Sequence, residues 1–488
     1  METRLRSYRL VFLNLVWFFF LAVLVGRLFV LMAFPSVRGV HPVRSASLTR
    51  FHMDAEHFRL VMTDDARGQI LFRDGTPWSR PSILHGAKVV QAPPSIAPEL
   101  LGTIGEPDVW PSTTRSIPEQ GRSGLEWSLD PILAGKRAEY TAVMVGPDGK
   151  SIPSSQQAVT SVPALRGEDV TTTVDARQEA RAEMLLRRTG ISHGSIVSIA
   201  LPNREFSVIA SADHAHSDAL HAIAPGSIFK LITLAAALDS HSYASNDSFF
   251  CDGRVHAPQV RMNCWRVHGT ISIIDALAQS CDSTFAQIGM QLGRKALLTE
   301  ADRFRLNRTG IAPFHGRAML PSANSAVLYR HAGGDNGLMA NTAIGQEDVR
   351  MTPVQGADLA ATIAMHGVYE DTTLVRGTKA QTEERLSASR VRQAAQACQP
   401  YTAMVLQKGM WDAVHDRLGT ALALHSFPIA AKTGTAELLN GRVNAWLVGY
   451  RFAGGRPTEA FALCVENEPS NKAHEHLFSL AENWLREQ

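Results

Sequence analysis

Ser227 is the one serine in this chain that stands three residues before a lysine, in Ala224-Pro-Gly-Ser227-Ile-Phe-Lys230. The chain holds nine lysines against 39 arginines, so the pairing is not what abundance would supply. Positions i and i+3 share a helix face, and a serine one turn from a lysine is a nucleophile with a base beside it. A free hydroxyl is a poor nucleophile at neutral pH, and the lysine serves as base only when it is neutral part of the time. Burial and a neighbouring cation both favour that state. Ile228, Phe229 and the apolar run Leu231 to Ala237 supply the surroundings. Downstream come Ser280-Cys281-Asp282 and Lys432-Thr433-Gly434-Thr435. The second of these follows the apolar Phe427 to Ala431, which places it on a strand. Lysine and two hydroxyls suit a carboxylate, and a glycine lets a substrate backbone approach a strand edge.

These groups need elements to hold them. Pro225-Gly226 introduces a helix over about 227–238, whose first N–H groups face a developing oxyanion. Thr171 to Asp175 reads as a β-branched run, followed by a helix over 176–188 that ends near Gly190. Residues 194–200 and 206–210, joined by a Pro202-Asn203-Arg204 turn, give a β-hairpin signal. A helix over 273–278 has Ser272 and Asp275 as its capping pair. Thr352-Pro353-Val354-Gln355 is a capping box with proline at the first helical position, and Gly367 is placed to end that helix. Residues 427–438, 443–452 and 458–466 read as three successive strands, and an amphipathic helix over 473–485 comes after them. The pattern is α/β (α+β), an antiparallel sheet flanked by helices, rather than a doubly wound parallel fold. Residues 37–165 read differently, as a mainly β membrane-proximal pedestal of short strands and Pro/Gly turns.

Composition sets outer bounds. A chain of 488 residues, 45% hydrophobic and 19% charged, suggests two or three domains with ordinary cores. A net charge of +2, with basic residues spread along the chain, argues against nucleic acid as a partner. Leu10 to Phe34 is apolar except for Asn14, Gly26 and Arg27, and is preceded by Arg4, Arg6 and Arg9. It has the length of a membrane-crossing helix, and the positive-inside rule sends the rest of the chain to the outer face. The expected domains are therefore a cytoplasmic stub and anchor over 1–36, the pedestal over 37–165 and a catalytic domain over 166–488. Among the five cysteines, Cys251 and Cys264 have a spacing that suits a local disulfide, with two free thiols as the alternative. Cys464, in an apolar run, reads as a small buried hydrophobe. His214, His216 and His221, and His474 with His476, lack zinc-site spacing and read as solvated surface, so no metal is expected.

The three motifs together resemble the penicillin-binding proteins and serine β-lactamases, and most closely the class B penicillin-binding proteins. Further stretches carry the likeness: Arg67 to Gly75, Ser123-Gly-Leu-Glu126, Ala278 to Phe285, Ala343-Ile-Gly-Gln346 and Ala445 to Gly449. The resemblance implies a β-lactamase/transpeptidase-like fold and a cofactor-free peptidoglycan D,D-transpeptidase. Its implied partners are peptidoglycan stem peptides, β-lactam antibiotics and a polytopic glycan polymerase. It implies Ser227 as nucleophile, Lys230 as proton acceptor and Ser280 as proton relay. Lys432, Thr433 and Thr435 would hold the substrate carboxylate on the strand that contains Gly434, and the N–H groups of Ser227 and Thr435 would form the oxyanion hole. The family usually has asparagine where this chain has Asp282. A carboxylate only accepts hydrogen bonds and favours a protonated Lys230, the wrong form for a base. A non-catalytic β-lactam- or muropeptide-binding scaffold or sensor is therefore the second reading. A D,D-carboxypeptidase or β-lactamase of the same fold is the third.

Overall fold

Side chains alternate between the two faces of a strand, so a sheet covered on both faces reads as near-continuous apolar sequence. The computed structural model forms such a sheet from five antiparallel strands. They are β1 Gly194–Ala200, β2 Glu205–Ser211, β3 Ile429–Glu437, β4 Arg442–Ala453 and β5 Arg456–Pro469. The spatial order is β2-β1-β5-β4-β3, which leaves β3 at an edge. The structure describes residues 58–64, 66–78, 83–85, 88–90, 96–105, 120–137, 139–144, 161–162, 164–258, 260–328, 335–378, 394–438 and 441–486.

Among the described residues, eight helices position or cover this sheet: α1 Ala176–Thr189, α2 Lys230–Asp239, α3 Ile273–Ala278, α4 Asp282–Arg303, α5 Asn336–Ala343, α6 Pro353–Ala364, α7 Pro400–His415 and α8 Ser470–Arg486. On β3, β4 and β5 odd and even positions separate between two cores. Ala431, Ala445, Leu447, Phe461 and Leu463 join Leu186 of α1 and Leu477 and Trp484 of α8 in one core. Ala430, Trp446, Val448, Ala460 and Ala462 join α2, α3, α4, α6 and α7 in the other. Helix α6 is buried along its whole length, and its start carries the expected Thr352–Gln355 capping box. Gly367 takes the left-handed conformation shortly beyond its end (φ 80°).

The chain divides into two units. The smaller contains a three-stranded antiparallel sheet of Phe58–Asp64, Glu139–Met144 and Ser161–Val162. The larger comprises 67–83, 91–135 and 166–488, so stretches well ahead of residue 166 belong to it. Within it Arg67 donates to Glu126 (2.7 Å) and to Asp130 (2.7 Å), and the arginine and Glu126 are both buried. Short strands are expected across this region, yet Pro98–Leu101, Gly124–Ser128 and Asp130–Leu133 are one-turn helices. Two of the three have proline in their first two positions, and proline fits the first helical turn as well as it fits a loop. Among the described residues no helix is long and apolar enough to cross a membrane. The span expected over 10–34 lies outside the described residues.

Near the end of β5, Glu466 is buried, and burial with the nearby Asp218 pushes its carboxyl up to about 8 from 4.5. Between those values the folded chain keeps a proton that the unfolded chain releases, so this group makes stability fall as pH rises from about 4.5 to 8, by up to ~1.4 kcal/mol per unit. Melting followed by circular dichroism should show a shallower decline across that window in Glu466→Gln than in the natural chain.

Candidate active site

The serine–lysine pair sits where a 3₁₀ turn, Gly226–Phe229, runs into α2. Sequence periodicity predicts one continuous helix. The tighter turn instead eclipses positions i and i+3, which brings Ser227 and Lys230 to the same side. Ser227 is half-buried and lines an open cleft of about 1480 Å³, while Lys230 lies fully buried behind it.

Glycine fixes how this turn docks. Gly226 has φ 54°, and a Cβ there would come within 2.2 Å of the Thr435 carbonyl oxygen. A Cβ at Gly434 would come within 2.5 Å of the Pro225 carbonyl and 2.7 Å of the Ile228 side chain. The smallness of Gly434 therefore serves the approach of the turn that carries Ser227 to β3 rather than the approach of a substrate backbone. The Thr435 carbonyl also accepts from Gln346 Nε2 (3.2 Å), so it points away from β4. In an antiparallel strand a residue's N–H and C=O point the same way. The Thr435 N–H thus faces the free edge, beside the N-terminal turn that carries Ser227. Trp446 Nε1 ties the approach to that turn by donating to the Ala224 carbonyl (3.0 Å).

Ser280 follows α3 at a point where the chain reverses into α4. Its N–H bonds to Leu277 O (3.2 Å) and the Cys281 N–H to Ala276 O (2.8 Å), the two hydrogen bonds of a Schellman cap. That cap needs a left-handed residue, normally glycine, and Ser280 supplies it at φ 55°. A serine in that conformation is strained, and its hydroxyl explains its presence. Ser280 Oγ lies 3.2 Å from Lys230 Nζ and 3.0 Å from Lys432 Nζ, so one hydroxyl links two buried amines. Lys230 also donates to the Ser280 carbonyl (2.8 Å) and to Asp282 Oδ1 (2.7 Å). Its three donors are thereby matched by three acceptors.

Lys432 points from β3 toward the same cluster, since its parity is that of Ala430 and Gly434. It donates to Ser280 Oγ and to its neighbour's carbonyl, Thr433 O (2.8 Å). Full burial, with the charge of Lys230 adding to it, holds Lys432 well below the usual range of a lysine amine, and the Asp282 carboxylate only partly opposes this. The pair is therefore asymmetric. Lys230 is matched by a carboxylate at ion-pair distance, and Lys432 is driven toward the neutral amine. A proton can pass between them through Ser280 Oγ.

Ser227, Lys230, Ser280, Asp282 and Lys432 are thus gathered from three separate segments. Thr433 and Thr435 have the opposite parity and line the cleft. Thr433 Oγ1 donates to Thr420 Oγ1 (2.7 Å), and Thr435 Oγ1 meets His474 Nε2 at 3.0 Å. Thr420 carries no local signal. His474, expected as solvated surface, instead joins the cleft from the second turn of α8. His216 is exposed, as expected, with its ring on the buried Asp218 at 2.8 Å, whereas His214 is half-buried with its ring on Glu99 at 2.8 Å. Cys251 and Cys264 are free thiols rather than a disulfide, with each sulfur turned toward His268 Nδ1 at 3.5 Å. Cys464 is fully buried in the sheet, as expected.

The family model "Penicillin binding protein transpeptidase domain" matches residues 200–480, and the chain belongs to that family. The peptidoglycan D,D-transpeptidase PbpA of Mycolicibacterium smegmatis is 30% identical over 256 residues, 50% of this chain and 50% of the relative. The chain thus spans about half the length of the curated relatives it first matches. Among solved structures, penicillin-binding protein A of Mycobacterium tuberculosis, as a ceftriaxone acyl-enzyme complex, superposes with a TM-score of 0.63 at 21% identity, covering 86% of this chain and 98% of the other. A chain from a peptidoglycan synthase complex, described as coordinating polymerization and crosslinking, gives a TM-score of 0.68 at 20% identity, covering 98% and 99%. At these identities the structures establish the α/β transpeptidase fold.

Replacing Ser280 by glycine separates conformation from chemistry. Ser280→Gly relieves the left-handed strain but removes the hydroxyl between the lysines, so folding stability should stay within about 1 kcal/mol of the natural chain. Acylation by a fluorescent penicillin should fall by roughly 100-fold or more, the usual scale of a lost acid–base group. Parallel chemical-melt and stopped-flow measurements check both halves.

Proposed function

We propose that this protein is a peptidoglycan D,D-transpeptidase that works through an acyl-serine intermediate. The observation that carries this reading is that Ser227, one 3₁₀ turn before the buried Lys230, lines the same cleft as Ser280, whose hydroxyl is shared by Lys230 and Lys432. Membership of the transpeptidase family supports it. Ser227 Oγ attacks the carbonyl of the penultimate D-Ala of a stem peptide, and its proton passes to the amine system of Lys230, Ser280 and Lys432. The N–H groups of Ser227 and Thr435 receive the developing oxyanion. The C–N bond to the terminal D-Ala then breaks, and the stored proton goes to the leaving amine. In the second half an amine from a neighbouring stem attacks the acyl-serine carbonyl. It gives its proton back through the same groups, and Ser227 is released as the hydroxyl.

In this reading Thr433 and Thr435, which line the cleft on the edge strand, hold the terminal carboxylate, with Lys432 buried behind them. β-Lactams enter as acylators of Ser227, a role supported by the ceftriaxone acyl-enzyme of the structural neighbour from Mycobacterium tuberculosis. A membrane glycan polymerase is the proposed partner, supported by the likeness to a chain of a peptidoglycan synthase complex. In this reading residues 10–34 anchor the chain in the bacterial cytoplasmic membrane, with the catalytic unit on the outer face. No cofactor takes part in the reaction.

The Lys230–Asp282 ion pair leaves the scaffold reading open to a direct test by products. The full chain is incubated with a stem pentapeptide that carries a free acceptor amine, and products are separated by mass. The expected products are a cross-linked dimer and one released D-Ala per cross-link, both absent in Ser227→Ala. Released D-Ala with a shortened monomer alone would indicate a carboxypeptidase. No release by the natural chain would refute enzymatic function.

A further inference from the structure

Three of the five cysteines are gathered at one point, beside a histidine. Cys251 ends the strand Ser248–Cys251, which pairs with Gly269–Ser272 to form a hairpin. Cys264 and His268 lie in the loop of that hairpin, and Cys281 is the residue before α4, between Ser280 and Asp282. Cys251 and Cys281 are fully buried and Cys264 nearly so. Their sulfurs and a ring nitrogen of His268 all lie within 4.8 Å of one another.

We propose that these four residues form a structural zinc site. The separations between the donor atoms support it. Around a tetrahedral zinc with Zn–S near 2.3 Å and Zn–N near 2.0–2.1 Å, two sulfurs stand about 3.8 Å apart and a sulfur and a nitrogen about 3.6 Å apart. Here Cys264 Sγ and Cys281 Sγ are 3.9 Å apart, and His268 Nδ1 is 3.5 Å from both Cys251 Sγ and Cys264 Sγ. A disulfide would draw two sulfurs to about 2.05 Å and leave the third thiol and the ring without a role. Three thiols converging on one imidazole nitrogen make only weak hydrogen bonds among themselves, whereas three thiolates and a neutral imidazole are a zinc donor set. The Thr284 hydroxyl donates to Cys281 Sγ at 3.2 Å, the kind of outer hydrogen bond that steadies a thiolate ligand.

Four protein ligands close the coordination sphere, so the ion holds structure and has no open position for substrate or water. Its place gives it a consequence. Cys281 follows the strained Ser280 and precedes the carboxylate that holds Lys230, so an ion bound to Cys281 fixes the turn that presents both groups to the nucleophile. That consequence rests on the acyl-transfer reading above, while the metal site itself does not. The spacing Cys-x12-Cys-x3-His-x12-Cys joins a hairpin loop to a helix start, and the fold brings its two ends together.

The test uses the full chain purified without chelators. Elemental analysis is expected to give about one zinc per chain, with an X-ray absorption shell of three sulfurs and one nitrogen. Cys264→Ser and His268→Ala should each lose most of the zinc and acylate with fluorescent penicillin at least tenfold more slowly, whereas Cys398→Ser should keep both properties. Ser227→Ala should keep its zinc and lose acylation, which separates failure of the metal site from failure of the enzymatic reading. Absence of zinc from the natural chain, or a disulfide among Cys251, Cys264 and Cys281 in unreduced digests, would overturn the site without reference to any variant's folding. Full acylation by a zinc-free His268→Ala chain would overturn the positioning role.

Discussion

Burying two lysine amines side by side is the constraint on which the rest of this structure depends. Lys230 and Lys432 are both fully buried, and each stands 3.0–3.2 Å from the same serine hydroxyl. Two charged ammonium groups in such a place would repel strongly and lose their hydration. The molecule meets the cost with one carboxylate, Asp282, and two carbonyls, those of Ser280 and Thr433. It also lets Lys432 approach the neutral state. In the proposed mechanism the same arrangement serves Ser227, because an amine driven toward neutrality can take its proton.

No single segment could supply that cluster. Lys230 comes from the start of α2, Ser280 and Asp282 from the reversal between α3 and α4, and Lys432 from the edge strand β3. Each is aimed by a local device. An eclipsed 3₁₀ turn aims Ser227 and Lys230, and a Schellman cap with serine in the glycine position aims Ser280. Strand parity aims Lys432 and turns Thr433 and Thr435 the other way. Gly226 and Gly434 then let turn and strand approach to a distance that any Cβ would block. The strain at Ser280 departs from local preference, and it falls at the residue whose hydroxyl both lysines share.

Much of this was legible in the sequence, for identifiable reasons. Helix limits were readable at Thr352, Ser272 and Gly190, where a capping side chain or a left-handed glycine marked them, whereas α5 went unread despite its Asp335 cap. The three C-terminal strands were readable as apolar runs. Pairing between distant strands was not, since nothing local tells β1 that its neighbour is β5, more than 250 residues away. The site residues were legible as motifs, and their arrangement was not. Parity alone could not reveal that Gly434 faces Ile228, because that contact belongs to a turn 200 residues earlier. His474 was misjudged because helix periodicity says which face is polar but not what that face meets. The cysteines escaped for a related reason. Their spacing suits a local bridge, and only the fold brings Cys281 to the hairpin loop.

The central claim is that this buried amine cluster activates Ser227 and no other nucleophile. The most direct measurement is mass mapping of the full chain after brief exposure to a penicillin at neutral pH. A single covalent adduct is predicted on the peptide that contains Ser227, formed in proportion to protein and missing from Ser227→Ala. An unmodified chain, or an adduct on any other residue, would contradict it.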